Sequence, residues 1–590
     1  MRSSVPLRSP AGAALLAGAR ARISRRSAGL RAPRIRHPRL WALGLYLILA
    51  LLTVGWRAIR DPTRVCACSV NTDPSAYMWA LKWWPYAILH GLNPFVSHYV
   101  WAPAGANLTR SATIPTAAIA MTPITELFGP VASYNALLVL SAVLAAFTGY
   151  LLCRRIVGRE LPALAGGYLF GFGAFELAQL INHPNISLIF LVPVMVHLAL
   201  RRADREISAR RYIVALGIVF AAQAGLSSEI LATAVALGLV ALLIARLLAP
   251  EEYRARVRRL LGETIAAGAV AVVVISPFLY YALVKGGSQH EWPLSDAYGL
   301  DLLNPFFPTQ VTWLGSHAFQ ALGSTFEQAN PPEADGYLSL PVILAFAFWY
   351  ARTRRRFLAR MLLIMASVSL VAALGSHLKV AGIQTVELPF NWVKNQPVFR
   401  LLTPGRIALY ISLAFAIAMA AWLAESPPRS ARRVRRWLVF ALAAVMVFPN
   451  IASGLWGGTQ PNPAFFRNGS YRRYLSAGET VLVMPYGWNS DSMLWQAETN
   501  FYFRMPEGYL GHIPPAPFEG SPAVGQLYSN NAVEPQLLIR FLKSSDVRAI
   551  VIDPGAGVPL VPFIAELADY GLHPLSVGGV LLYRLPATGL

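Results

Sequence analysis

"NTDPSAYMWALKWWPYAILHGLNPF", residues 71–95, places one carboxylate, Asp73, ahead of a segment crowded with Trp79, Trp83, Trp84 and Tyr86. Asp73 suits the cap of a helix and Pro74 its first turn. The segment closes at His90-Gly91-Leu92-Asn93-Pro94, a run that stops a helix. Residues 41–56, just upstream, are apolar enough to read as a first membrane span. An acid and an aromatic helix directly after a span put polar chemistry at the membrane surface, where Trp and Tyr gather as an interfacial belt. The rest of the chain is read from there.

The 590 residues are 55% hydrophobic and only 14% charged, with mean hydropathy +0.46. Soluble domains carry roughly 25% charged residues, so most of this chain is built for lipid. The net charge of +22 is spread as short arginine clusters between apolar runs: Arg154-Arg155, Arg201-Arg202, Arg210-Arg211, Arg258-Arg259, Arg354 to Arg356, and Arg432 to Arg436. Nucleic acid would require one continuous basic face, and this scatter excludes it. Clusters at the ends of spans orient a polytopic protein with its arginines in the cytoplasm. Residues 1–39 hold ten Arg and no acid, and their one apolar stretch, "AGAALLAGARA", is too short to span. They read as a basic cytoplasmic arm.

Further apolar runs fall near 131–153, 161–180, 187–200, 212–226, 230–248, 264–284, 337–351, 361–376, 407–424 and 437–455. The fold class expected is a polytopic α-helical membrane protein of about 11 transmembrane helices over residues 40–455. Residues 114–129 are apolar but carry Pro115 and Pro123, and counting them as a span would turn Arg154 and Arg155 outward. They are expected as two re-entrant or interfacial half-helices. With the amino terminus inside, the long connections 57–113, 285–336 and 377–406 and the tail 456–590 lie outside the cytoplasm, in a cell-membrane protein. Long loops in a compact protein are usually functional.

The tail reads as an extracytoplasmic α/β domain. "ETVLVMPYG" (479–487), "VRAIVIDPG" (547–555) and "GGVLLYRLP" (578–586) are strand-like, and "PLVPFIAELADYGL" (559–572) is helical. The aromatic stretch 492–515 between them is a candidate lid. Cys66 and Cys68 share an oxidising compartment, although a Cys-x-Cys ring is strained. No zinc spacing, phosphate-binding loop or dinucleotide fingerprint occurs. A divalent cation is conceivable as a cofactor, but no ligand cluster announces one.

The layout resembles the GT-C superfamily of membrane glycosyltransferases. The residues that carry the resemblance are Thr72–Phe95, the following "WAPAGANL" (101–108), and Pro404-Gly405-Arg406 before a span; uncharacterised bacterial membrane proteins share the same loop. The resemblance implies a membrane enzyme that moves a sugar from a polyprenyl-phosphate donor to an extracytoplasmic acceptor in the cell envelope. It also implies an outer-loop aspartate as general base: Asp73, with Asp61 as its competitor. The chain departs from the superfamily in lacking a paired acid at the usual place.

Other polar residues at the same membrane face are candidates for binding substrate. His90 and Asn93 end the aromatic helix, and His183 sits in a tight hairpin. Glu229 opens an apolar run where an unpaired carboxylate is costly, and Glu176 is similar. Arg400 and Arg406 are suited to a lipid phosphate. The rival classes are a non-catalytic lipid or glycan transporter, which would place polar groups at mid-membrane, and an envelope-assembly protein.

Overall fold

The computed structural model describes residues 37–69, 73–286, 298–326, 331–334, 336–396, 400, 402–427, 430–510, 514–516, 518–529, 532–558 and 560–586. The basic arm read over residues 1–39 therefore lies almost wholly outside the described residues. Five described helices are long and apolar enough to cross a membrane: Pro115–Val157, Glu160–Gln179, Pro184–Ala203, Ser228–Leu248 and Pro404–Ala424. A sixth is counted if Tyr253–Val274 and Ser276–Leu283, bent by 73°, form one span. Helices Pro38–Leu52, Leu340–Thr353 and Phe357–Ala373 are apolar but shorter; Ala209–Ala224 and Ala431–Met446, of 16 residues each, are short too and open on arginines. Each expected run is thus met by a helix. Fewer than the expected eleven satisfy a length test, because at 1.5 Å per residue 14–17 residues fall short of a ~30 Å hydrocarbon core.

Residues 114–129 depart from the expectation of two half-helices. Pro115 opens a helix that Pro123 does not end, and the break falls at Gly129 (φ 87°, ψ 171°), after which the chain continues helically to Val157. Gly129 can take a positive φ and Pro130 has no N–H to lose, so the kink is cheapest there.

The long helix packs tightly on Glu160–Gly171 through Gly167 and Gly171, four residues apart on one face. A Cβ on Gly171 would lie 2.3 Å from the Ala146 nitrogen, and one on Gly167 would lie 2.5 Å from the Ala146 carbonyl oxygen.

Cys66 and Cys68 are joined in a disulfide, against the expectation from ring strain. Both are buried, and their backbone is held from the tail: Val65–Cys66 pairs antiparallel with Gly458–Thr459, and Gly458 N–H donates to the Cys68 carbonyl.

The tail carries a four-stranded mixed sheet. Thr480–Met484 runs parallel to Val547–Ile552, Val580–Arg584 lies antiparallel on the other side of Val547–Ile552, and Leu575–Val577 forms the edge. Helices Pro535–Ser544 and Val561–Asp569 complete the α/β pattern read from the sequence.

The helix Asp73–Leu89 joins tail and helical bundle. At 100° per residue, positions 73 and 77 share one face, while 75 and 79 share nearly the opposite one. The first face meets the bundle: Tyr77 donates to Asn185 Oδ1 at 2.6 Å. The second meets the tail: Ser75 Oγ bonds Asp491, and Trp79 Nε1 donates to Gln496 Oε1 at 2.7 Å. Trp79 stacks on Trp83 at 5.3 Å, and Phe501 from the tail sets its edge against both. Trp79, Trp83 and Trp84 are at most 4% exposed. They are the core of a protein–protein junction rather than a lipid-facing belt, because the tail covers the surface that lipid was expected to cover.

Candidate active site

Asp73 begins the aromatic helix, so its position follows from the helix that the tail and bundle clamp between them. Its Oδ1 accepts a 2.6 Å hydrogen bond from the Tyr509 hydroxyl, which comes from the tail. Its Oδ2 lies 3.6 Å from His183 Nε2. His183 precedes the short helix Pro184–Ser187, and its ring is set by Gln179 Oε1, 3.1 Å from Nδ1. The same Nδ1 lies 3.5 Å from Glu333 Oε1. One imidazole therefore stands between two carboxylates and links the Asp73 layer to the Glu333 layer.

Behind His183 stands a second layer. Arg406 donates through Nε to Glu333 Oε2 at 3.1 Å and through a terminal nitrogen to Glu333 Oε1, a two-pronged pair. Its remaining terminal nitrogen bonds Glu229 Oε2, and Glu229 Oε1 accepts from Thr403 N–H at 3.0 Å. Glu333 and His183 are each 8% exposed. Burial pushes the Glu333 carboxyl up, but the charges of Arg406 and His183 outweigh it and hold the group below the ordinary glutamate value. Burial first, and then the Asp73 charge, raise the Tyr509 hydroxyl far above the ordinary tyrosine value, so it stays a donor.

Four of the residues singled out in the sequence thus meet at one place: Asp73, His183, Glu229 and Arg406. The others lie elsewhere. Asp61 is in a turn with Thr63 and Arg64 as partners, 3.1 and 3.9 Å away. His90 is exposed and stacked on Tyr86, and Asn93 donates to the Tyr281 hydroxyl at 2.9 Å. Arg400 is half-buried at the end of its loop, its N–H bonded to the Gln396 carbonyl. Glu176 is fully buried against Ser141. Glu333 and Tyr509 were not anticipated. The pair Pro331-Pro332 ahead of Glu333 is a weak signal of a rigid acid-bearing turn, while nothing local distinguishes Tyr509 among the tail's aromatics. Among the described residues no group of three His, Cys, Asp or Glu is placed to hold a metal ion.

A buried acid–base cluster at the junction of a helical membrane bundle with a mixed α/β tail defines the class: a polytopic membrane protein with the fold of known glycosyltransferases. The Archaeoglobus fulgidus oligosaccharyltransferase superposes with TM-score 0.53 at 15% identity, over 89% of this chain and 70% of that one. The same archaeal enzyme, AglB, in complex with an inhibitory peptide and a dolichol-phosphate, gives TM-score 0.51 at 15% identity, over 88% and 69%. The arabinofuranosyltransferase AftD from Mycobacteria gives TM-score 0.55 at 14% identity, over 93% of this chain and 40% of that longer one. At such identities the likeness concerns fold. No curated protein matches the chain. The chain belongs to the family described as Domain of unknown function (DUF6311), which matches residues 42–448.

Proposed function

We propose that this protein is a membrane glycosyltransferase that moves a sugar from a polyprenyl-phosphate donor to a hydroxyl acceptor outside the cytoplasm, with Asp73 as general base. The observation that carries the reading is the placement of Asp73, hydrogen-bonded by Tyr509 and facing His183, where the tail meets the bundle in a fold shared with known glycosyltransferases. The AglB complex, which contains a dolichol-phosphate, supports a lipid-linked donor.

In the proposed step the acceptor oxygen attacks the anomeric carbon of the donor sugar. A new carbon–oxygen bond forms as the bond to the lipid phosphate breaks, and polyprenyl phosphate departs with the electron pair. The acceptor's proton goes to Asp73, which Tyr509 and His183 hold in place on its two oxygens. Arg406 spends its donors on Glu333 and Glu229, so its part is to fix Glu333 and, through it, His183. A role on the donor phosphate would require Arg406 to exchange one of those partners.

The test is a deletion strain analysed by lipidomics, complemented with variants. Loss of the protein should cause a polyprenyl-phosphate sugar to accumulate. Asp73→Asn keeps an acceptor for Tyr509 but cannot take a proton, and removal of a positioned base costs about 10²–10⁴-fold in rate. It should insert and melt like the parent yet fail to clear the lipid. Full complementation by Asp73→Asn with failure of Asp61→Asn would move the base to Asp61. Full complementation by both would sink the enzyme reading.

A further inference from the structure

A second polar site lies at the opposite end of the bundle. His183 and Pro184 stand at one end of the helix Pro184–Ala203, and Arg201 is at the other. Between them the helix Leu191–Ala203 alone rises about 20 Å. At the Arg201 end a cavity of about 560 Å³ opens among Arg39, Arg154, Arg155, Arg201 and His197, with the carboxylates Glu160 and Glu206 also in its wall. Four elements build it: the start of the first helix, the end of the long helix, the start of its neighbour, and the end of the helix carrying His197.

The charges in the cavity do not cancel. Arg155 gives its two terminal nitrogens to Asp204 and Glu206, and Arg154 gives its Nε to Glu160 at 2.6 Å. Arg201 reaches Glu206 only at 3.5 Å and is 39% exposed. Arg39 is exposed, and among the described residues no carboxylate pairs with it. His197 adds a buried Nδ1 that has no hydrogen-bond partner. The Arg39 and Arg201 guanidinium groups thus line a space larger than a phosphate ion needs, without enough carboxylate charge to neutralise them. Apolar Leu151 also lines it.

We propose that this cavity binds a phosphate group, which the headgroup of an anionic membrane lipid presents at the helix ends. Its place at the ends of apolar helices suits a lipid, whose acyl chains would continue along them. Basic pockets between transmembrane helices bind such headgroups through charge and directed N–H donors. The site is separate from Asp73 and stands whether or not the protein transfers sugar.

The full-length protein in detergent is titrated with phosphatidylglycerol, phosphatidylcholine or inorganic phosphate, and bound ligand is counted by native mass spectrometry. Phosphatidylglycerol should bind in preference to phosphatidylcholine, and Arg39→Gln and Arg201→Gln should each weaken it by about 5-fold. The pair Arg39→Lys and Arg201→Lys, which keeps the charge, should retain most of the affinity. Binding of inorganic phosphate with the same sensitivity to both substitutions would uphold the phosphate site and assign its ligand to solution. Arg39→Gln carries the test alone if the double variant does not fold, because Arg39 is exposed. Equal binding of both lipids, or unchanged phosphatidylglycerol affinity in Arg39→Gln, would overturn the proposal.

Discussion

Arg406 makes the sharpest prediction at the scale of single residues. Its guanidinium holds two carboxylates in a fixed fork, which an ammonium cannot reproduce. Lysine keeps the charge but leaves carboxylate oxygens without their donors, which costs about 1–3 kcal/mol. Arg406→Lys should therefore lower the melting temperature and the turnover number while leaving apparent donor affinity nearly unchanged; a rise in donor KM alone would return Arg406 to the phosphate. Glu507 supplies a pH test. Burial pushes its carboxyl up to about 8, against the opposing pull of the Gly487 N–H and the Ser492 side chain. A raised carboxyl pKa means that the folded state keeps a proton the unfolded chain gives up. Stability from this group is full below the unfolded value near 4.3 and is lost as pH rises toward 8. Glu507→Gln should flatten the fall in stability between pH 5 and 8, of at most about 1.4 kcal/mol per pH unit. An identical pH profile in the variant would exclude Glu507 as its source. Asp73, His183, Glu229 and Arg406 were legible because lone polar residues at the ends of apolar runs are costly without partners. Tyr509 was not, because its bond to Asp73 joins residues 436 apart and no local pattern encodes that.

Helices show where sequence patterns run out. The aromatic helix was legible as a helix, from its cap and its stop signal, but not in what covers it. Periodicity identifies an apolar face and is silent on whether lipid or protein meets it, so tryptophans assigned to a membrane belt turned out to stack under Phe501. The same limit applied to residues 114–129, where Pro123 drew the break that Gly129 in fact makes. The contact between the long helix and Glu160–Gly171 was written in the sequence as Gly167-Tyr168-Leu169-Phe170-Gly171 and is explained by close backbone approach. Gly171→Ala should be destabilising, by about 1–3 kcal/mol for an overpacked core, since the new methyl meets Ala146 backbone rather than a movable side chain. Thermal unfolding in detergent would measure it. Gly238→Ala is the control, because nothing lies within 4 Å of its would-be Cβ. Equal melting of the two variants would mean that the helices have room to part.

At the scale of the whole molecule, the tail and the arginine clusters are tied to opposite ends of the bundle. Tyr509, Asp491 and Gln496 reach Asp73, Ser75 and Trp79 at the end where His183 lies. Arg154, Arg155 and Arg201 gather at the other end. Arginine-rich loops stay in the cytoplasm because moving them across the membrane opposes both the insertion machinery and the membrane potential. If the clusters are inside, a tail bonded to the far end must be outside, whatever the exact number of crossings. That is why orientation follows from charge more securely than from a count of helices, several of which are too short to be counted with confidence by length alone. A reporter active only in the cytoplasm, fused after Leu590, should then give no signal, and one active only outside should give a strong one. The reverse pattern would place the acid cluster on the cytoplasmic face, where a donor and acceptor outside the cell could not reach Asp73, and the proposed reaction would have to be abandoned along with the orientation.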